Sequence, residues 1–261
     1  MLEKMQERLQ PSHLVVVWDG GLDATRVKLL PGYKAQRPEL PEALAGQLDG
    51  MANYLEAAGL CSLRMEGCEA DDGIASLAVA ADHAAMPTVV ASSDKDFMQL
   101  VSANVRLLVP HDKTEALWDA AQVKLKTGVE PAQIVDWLSL IGDAVDNISG
   151  VEGVGLKTAA DLLNQFGSID AVYGRLEEVK SERLRGRLLA AREVVRRNRE
   201  LIRLNASLGC GLTKEDLKIG EPSLESLRRL YTGWGFKKML QLLDELQPRS
   251  EDLFHEQVLT G

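Results

Sequence analysis

Short apolar runs that end in an acidic residue recur in the first half of the chain. Residues 13–19 (HLVVVWD) are rich in β-branched side chains and end at Asp19, and residues 88–94 (TVVASSD) end at Asp94. Both patterns predict buried strands. Residues 105–109 (VRLLV) predict a third strand.

The segments between these strands have helical spacing of their apolar residues. We predict helices over residues 41–60 and over the Ala-rich residues 69–85. Strands that alternate with helices predict an α/β fold with a mostly parallel sheet flanked by helices. Such sheets bind ligands beyond the carboxyl ends of their strands, where Asp19 and Asp94 would lie.

The pattern changes near residue 123, after which it predicts helices only. Pro131 marks a helix start, and residues 150–158 (GVEGVGLKT) separate two helical stretches. We therefore predict three regions. They are an α/β core at 1–122, a helical module at 123–212 and C-terminal helices at 213–261 that pack on the core.

Composition places the chain among ordinary globular proteins, with 45% apolar and 26% charged residues in 261. The longest apolar runs are far shorter than the ~20 residues of a membrane-spanning helix. The start, MLEKMQERLQ, has no apolar core of a secretory signal. We therefore expect a cytoplasmic, monomeric protein with no membrane contact. Three cysteines without CxxC spacing argue against a disulfide framework and a zinc site.

The net charge of −9 is unusual for a protein that binds nucleic acid, but the charge is segregated along the chain. Nine Lys and Arg against three Glu give residues 180–203 a net charge of +6. This stretch fits either a solvated helix face or a phosphate-binding surface.

Eight carboxylates fall into four tight groups. They are Asp19; Glu69, Asp71 and Asp72 in EADD; Asp94 and Asp96 in SSDKD; and Asp143 and Asp146 in GDAVDN. Taken singly, each group is typical of a helix cap or a turn. If these carboxylates converge on one site, they repel one another unless cations neutralise them. Carboxylate oxygens are ligands that suit Mg²⁺ or Mn²⁺. Two such ions roughly 4 Å apart catalyse phosphodiester hydrolysis.

Several longer motifs carry a family resemblance. They are WDGG, LLPGYKAQRP, EGCEADDGIASLA, SSDKDFMQLV and DWLSLIGDAVDNISGVEGVGLKTAADLLNQFGS. From about residue 5 to residue 245 the chain resembles the 5′-3′ exonuclease domain of bacterial DNA polymerase I and its stand-alone relatives, in the flap endonuclease superfamily. The resemblance implies a PIN-like or resolvase-like α/β domain followed by a helix-hairpin-helix module. It also implies a structure-specific 5′ nuclease of DNA replication and repair that cuts at 5′ ends, flaps and nicked or branched duplexes.

The resemblance also implies roles for individual residues. The eight carboxylates would bind two Mg²⁺ or Mn²⁺ ions, Asp72 only in part. Lys34 and Arg37 would contact the scissile phosphate at the base of a helical arch near residues 26–45, where cations stabilise developing charge. Arg26 and Tyr33 lie in the same region and would contact DNA.

The glycine-rich hairpin is the second expected DNA contact. In the family, the backbone N–H groups of the segment matching Gly153, Val154 and Gly155 bind a phosphate, and a K⁺ ion binds nearby. Glycines permit close backbone approach, and Lys157 and Thr158 would lie on the first turn of the next helix. Without the resemblance, a tight turn explains the glycines equally well.

One departure concerns the start of the chain. Family members open with a further strand that carries a ligand Asp, whereas this chain begins inside the following helix. We expect either a start codon placed too late or a truncated variant. The alternative function is a catalytically weak DNA-structure-binding protein with an incomplete first metal site. A ribonuclease of PIN type fits the acidic sheet but not the hairpin.

Overall fold

The structure is a computed structural model that describes residues 2–110 and 116–246. Its helices are α1 (Leu2–Leu9), α2 (Ala24–Leu29), α3 (Glu42–Ala57), α4 (Ala70–His83), α5 (Ala120–Thr127), α6 (Ile134–Ile141), α7 (Leu156–Phe166), α8 (Ile169–Gly174), α9 (Glu182–Ala190), α10 (Arg192–Ile202), α11 (Leu224–Trp234) and α12 (Lys237–Leu246). None of the helices in these ranges is both long and apolar enough to span a membrane.

The strands form small sheets. They are β1 (Val15–Trp18), β2 (Cys61–Arg64), β3 (Thr88–Ala91), β4 (Val105–Leu108), β5 (Leu117–Trp118), β6 (Gly142–Asp143) and β7 (Ile148–Ser149). β1 pairs with β2, and β6 pairs with β7. β3 lies parallel to β4, whereas β5 is antiparallel to β4. The α/β class is confirmed, but in the described ranges small sheets replace the single sheet that we expected.

The ribbon of β6 and β7 corrects the expectation of helices alone after residue 123. Gly142 ends α6 with a φ of 77°. A Cβ at this position would lie 2.4 Å from the backbone nitrogen of Gly150 and 2.5 Å from the carbonyl oxygen of Ile148. Glycine therefore lets the chain turn back and pair closely, and the GDAVDN motif forms β6 and the loop that follows it.

By its internal contacts the described chain divides into two units, and residues 17–38, 64–110 and 116–210 form the larger one. Its core centres on α6, in which every residue from Ile134 to Leu140 is buried. α7, α10 and the 3₁₀ turn Lys95–Leu100 pack against α6. The site described below lies entirely in this unit.

The smaller unit comprises residues 2–16, 39–63 and 211–246 of the described chain. α11 packs against α3 and α12 around the buried side chains of Ala57, Leu227, Tyr231 and Leu243. The rings of Tyr54 and Tyr231 contact each other with centroids 6.3 Å apart. The smaller unit thus combines segments from both ends of the described chain, and the three consecutive regions stay a prediction.

Candidate active site

The first turn of α4 carries one group of acids. Glu69 is the N-cap residue of α4 and is only 2% exposed. Its carboxylate accepts a hydrogen bond from the Tyr33 hydroxyl at 3.1 Å and forms an ion pair with the Lys34 ammonium. Asp71, two residues later, has its pKa raised to about 6 by burial and then by the charges of Asp94, Glu69 and Asp19. Acids from three segments therefore converge at the start of α4.

Asp94 and Asp96 follow β3 and begin the 3₁₀ turn Lys95–Leu100. Asp94 is exposed, and its carboxylate caps the turn by accepting the Asp96 N–H at 2.9 Å. The Oδ1 atom of Asp96 is buried and has no hydrogen-bond partner. Burial, followed by the charges of Asp94, Asp143 and Asp146, raises the pKa of Asp96 well above its usual value. An unpartnered buried carboxylate oxygen among other acids is suited to a cation.

The β6–β7 ribbon supplies the last two acids, Asp143 at the end of β6 and Asp146 in the loop that follows. Asp143 pairs with the Lys95 ammonium at 3.1 Å, and Asp146 pairs with the Arg37 guanidinium at 2.6 Å. Burial raises the pKa of Asp146, although Lys34 and Arg37 oppose the rise. Asn198, fully buried on α10, donates its amide N–H groups to the carbonyls of residues 139 and 149 and so fixes the ribbon.

The YKAQRP segment lies directly against this loop. The backbone N–H of Lys34 donates to the Asp146 carbonyl at 3.1 Å, and the Asn147 amide donates to the Gly32 carbonyl at 2.8 Å. Lys34 and Asn147 both have positive φ, 54° and 61°. Non-glycine residues rarely adopt this conformation, and it recurs at functional sites where surrounding contacts hold it. Lys34 is buried, whereas the Arg37 side chain is 42% exposed.

Two predicted site residues have partners that change their interpretation. Arg26 is 5% exposed, and its guanidinium forms a bidentate pair with Asp72 at 2.6 and 2.8 Å. Asp72 also accepts the Asn205 N–H at 2.8 Å. Arg26 therefore faces the interior and not a DNA surface, and the Asp72 oxygens are engaged by protein donors.

Asp19 is exposed at the end of β1, and its carboxylate accepts the Gly21 N–H at 3.3 Å.

The donor set fits a hard divalent cation by its chemistry. It consists of carboxylate oxygens, one of them the unpartnered Oδ1 atom of Asp96. Within residues 2–110 and 116–246, no three Asp, Glu, His or Cys side chains are arranged to hold an ion as they stand. Three of the acids instead form ion pairs with basic side chains: Glu69 with Lys34, Asp143 with Lys95, and Asp146 with Arg37. Sequence reasoning missed Lys95, although it lies inside the SSDKD motif.

The glycine-rich hairpin precedes α7, whose N-cap is Gly155. Gly153 is exposed with a φ of 71°, while Val154 is buried and donates its N–H to the Val151 carbonyl at 3.0 Å. The first N–H groups of a helix have no partner inside that helix, so the start of α7 offers free donors. Lys157 is exposed on this turn, beside the partly exposed Thr158.

Arg187 on α9 lies against this hairpin and was not singled out from the sequence. Its Nη1 atom is 1.9 Å from where a Cβ of residue 153 would be, so only glycine permits its position. Its Nη2 atom donates to the Glu152 carboxylate at 3.0 Å.

Other arginines of the basic stretch have internal partners. Arg199 pairs with Asp136 at 3.0 Å and Asp170 at 2.8 Å, and Arg185 donates to the Val179 carbonyl at 2.7 Å. Some arginines of this stretch therefore stabilise the folded structure through internal contacts.

Two family models match consecutive parts of the chain. The 5′-3′ exonuclease N-terminal resolvase-like domain matches residues 1–128, and the 5′-3′ exonuclease C-terminal SAM fold matches residues 129–225. These models meet close to the change of pattern seen in the sequence at residue 123.

Curated relatives match over nearly the whole chain. A 5′-3′ exonuclease of Aquifex aeolicus is 36% identical and covers 94% of this chain and 83% of its own length. The flap endonuclease Xni of Shewanella denitrificans is 36% identical over 83% of this chain and 84% of its own length. DNA polymerase I of Pseudomonas aeruginosa is 37% identical over 97% of this chain, which spans only 28% of that protein.

Solved structures share the fold. T5 D15 protein, co-crystallised with metal ions, matches with a TM-score of 0.68 at 21% identity over 95% of this chain and 90% of that chain. The catalytic core of Rad2 in complex with a DNA substrate matches with a TM-score of 0.59 at 18% identity over 90% of this chain and 79% of that chain. Because the two family models together span residues 1–225 and relatives above 30% identity cover most of the chain, this protein belongs to the 5′-3′ exonuclease family of metal-dependent nucleases.

Proposed function

We propose that this chain is a structure-specific 5′ nuclease that hydrolyses DNA phosphodiesters at 5′ ends, flaps and nicked or branched duplexes with two divalent metal ions. The observation that supports it most is the buried Oδ1 atom of Asp96, which has no hydrogen-bond partner and is surrounded by the charges of Asp94, Asp143 and Asp146. The names of the relatives agree, since one is a flap endonuclease and another a 5′-3′ exonuclease.

The acids divide into two overlapping groups, which supports two ions. The charges that raise the pKa of Asp71 come from Asp94, Glu69 and Asp19. Those that raise the pKa of Asp96 come from Asp94, Asp143 and Asp146. We assign one ion to each group, with Asp94 between them. Asp72 is left out because Arg26 and Asn205 engage its oxygens.

Mg²⁺ or Mn²⁺ bound there would supply charge stabilisation and an activated water for in-line displacement at phosphorus. The protein's own part is to place the phosphate. The Arg37 guanidinium is half-exposed beside Asp146, where it can hold a phosphate oxygen. The Lys34 ammonium forms an ion pair with the Glu69 carboxylate at the buried side of the cluster. Together with the hydrogen bond from the Tyr33 hydroxyl, this ion pair orients that carboxylate.

The hairpin before α7 is the proposed site for duplex DNA. Gly153 and Gly155 let the backbone approach a phosphate closely, and the free N–H groups of the first turn point toward it. Lys157 adds a cation on the same turn. A K⁺ ion bound near this turn would add positive charge for a phosphate and is part of the proposal. DNA complexes of T5 flap endonuclease and Rad2 are known for the same fold.

The test is cleavage of a 5′-labelled flap duplex, with binding of the same duplex followed by fluorescence anisotropy. We expect cleavage with Mg²⁺ or Mn²⁺, none in excess EDTA, and DNA binding that survives in EDTA or Ca²⁺. Cleavage undiminished by the chelator would overturn the metal proposal. Binding without cleavage in every divalent ion would favour the alternative function, a catalytically weak DNA-structure-binding protein.

A further inference from the structure

Arg26 makes an unusually complete set of contacts for a buried charged side chain. Its Nη1 and Nη2 atoms donate to the two Asp72 oxygens at 2.6 and 2.8 Å. Its Nε atom donates to the Leu201 carbonyl at 3.0 Å, and Nη2 also donates to the Arg203 carbonyl at 3.1 Å. Nη1 lies 3.5 Å from the Glu69 carboxylate. One guanidinium therefore joins the first turn of α4 to the end of α10.

Further bonds strengthen the same junction. Asp72 accepts the Asn205 N–H at 2.8 Å, and the Ser76 hydroxyl oxygen lies 2.8 Å from the Asp72 carbonyl oxygen and 3.0 Å from the Asn205 carbonyl oxygen. The same hydroxyl accepts the Leu208 N–H at 3.0 Å. From the 3₁₀ turn that carries Asp96, the Gln99 side chain accepts the Leu204 N–H at 3.1 Å. The segment after α10 is thus held by α4 and the 3₁₀ turn, two of the elements that carry proposed metal ligands.

We propose that Arg26 is a positioning residue for the metal site, and that Asp72 is its counter-ion and not a ligand. Glu69, Asp71 and Asp72 all lie at the start of α4, so fixing Asp72 fixes the backbone that presents the other two carboxylates. The inference rests on the proposed function, because it concerns how those ligands are held. Replacing a residue that orients metal ligands typically lowers metal affinity or activity by about 10- to 100-fold.

The chemistry requires arginine and not merely a positive charge. A guanidinium is a planar fork that can pair with a carboxylate through two bonds and still donate elsewhere. Lysine would neutralise Asp72 but could not keep the paired geometry and both carbonyl bonds. A charge-only role and a positioning role therefore predict different results for Arg26→Lys.

The experiment compares Arg26→Lys, Arg26→Met and the double variant Arg26→Met with Asp72→Leu. Arg106→Met is the matched control, because Arg106 is exposed on β4 and outside the site. Three quantities are measured for each protein: Mn²⁺ affinity by electron paramagnetic resonance, kcat and KM for flap cleavage, and melting temperature. Arg26→Met alone leaves a buried carboxylate unpaired and should melt early, whereas the double variant removes both charges and should melt near the parent.

Positioning predicts that the double variant and Arg26→Lys bind Mn²⁺ about 10- to 100-fold more weakly and lose kcat by a similar factor, with KM little changed. The control should match the parent. A folded double variant or an Arg26→Lys variant with the parent's Mn²⁺ affinity and kcat would overturn this inference alone. A parent protein that neither binds Mn²⁺ nor cleaves DNA would overturn the proposed function together with it.

Discussion

Asp94 occupies the point where the two groups of acids overlap. It is exposed, and its charge contributes to the raised pKa of both Asp71 and Asp96. A carboxylate shared between the two proposed ion positions would matter more to catalysis than to folding. Among the described residues, its side chain makes one hydrogen bond, accepting the Asp96 N–H at 2.9 Å, which an amide oxygen can also accept.

We therefore expect Asp94→Asn to lower kcat by about 100-fold or more, through loss of a negative ligand for both ions. Its melting temperature and its DNA binding in Ca²⁺ should stay near those of the parent. Asp119→Asn is the control, since Asp119 caps α5 by the same kind of bond away from the site. If both variants cleave flaps at the parent rate, Asp94 is a capping residue only.

Asp71 makes stability depend on pH. Its folded-state pKa is raised from 3.8 to about 6, so the folded protein binds this proton more tightly than the unfolded chain does. Its contribution is full below about pH 4 and is lost as the pH rises through about 6, a change of roughly 2 to 3 kcal/mol. In EDTA, Asp71→Asn should therefore be more stable than the parent at about pH 8, with a gap that shrinks toward about pH 4.5.

Urea unfolding across this pH range checks the expectation. Asp161→Asn, at an exposed position on α7, is the control and should follow the parent. A gap between Asp71→Asn and the parent that is independent of pH would contradict the assignment of the titration to Asp71.

Sequence reasoning identified the acids of the site but not what holds them. Strand ends and the tight spacing of the acids are local features, and each pattern can be recognised within a few residues. The Arg26–Asp72 pair joins residues 46 positions apart, and Asn198 binds the carbonyl of Ser139 at a separation of 59 positions. Such partners depend on tertiary packing, which one sequence without its fold does not specify.

At the scale of elements, the sequence predicts helices and strands with a clear apolar pattern, but it does not predict very short strands. The predicted strands at 13–19, 88–94 and 105–109 correspond to β1, β3 and β4. The predicted helices at 41–60 and 69–85 correspond to α3 and α4. β6 and β7 have two residues each, too few for an alternating pattern, and they depend on the close approach that Gly142 allows.

The contact between α9 and the hairpin suggests how DNA affinity is set. Glu152 is 86% exposed and places a carboxylate at the proposed phosphate site, where it holds the Arg187 guanidinium. A phosphate arriving there competes with Glu152 for Arg187 and is repelled by Glu152. The pair itself adds little stability, as is usual for exposed ion pairs.

We expect Glu152→Gln to bind duplex DNA a few-fold more tightly in Ca²⁺. Arg187→Gln should bind more weakly and reduce the slope of log affinity against log salt by about 1, as for the loss of one phosphate contact. Glu193→Gln is the control, because Glu193 pairs with Arg196 on α10 away from the hairpin. Equal tightening by both Glu→Gln variants would indicate a general effect of net charge and no special role for the hairpin.

At the scale of the whole molecule, the order of the sequence and the order of the fold diverge. Residues 2–16 and 39–63 associate with residues 211–246, while the segments between them build the larger unit. The Gly59 carbonyl, for example, accepts the Gly220 N–H at 2.8 Å. A change of pattern along the chain marks where one kind of element gives way to another, but it does not reveal which distant segments pack together.

We expect the clustered acids also to couple folding of the larger unit to divalent ions. Burial and mutual repulsion raise the pKa values of Asp71, Asp96 and Asp146, so the ionised cluster destabilises the folded protein near neutral pH. An ion that binds only the folded protein stabilises it by about 2.7 kcal/mol at 100 times its dissociation constant. Mg²⁺ or Mn²⁺ should therefore raise the melting temperature in proportion to the logarithm of its concentration once the site is filled. Asp94→Asn should weaken this response, and NaCl of equal ionic strength should not reproduce it. A rise in melting temperature that NaCl matches would show that the ions act by general screening, and the coupling between metal binding and folding would be wrong.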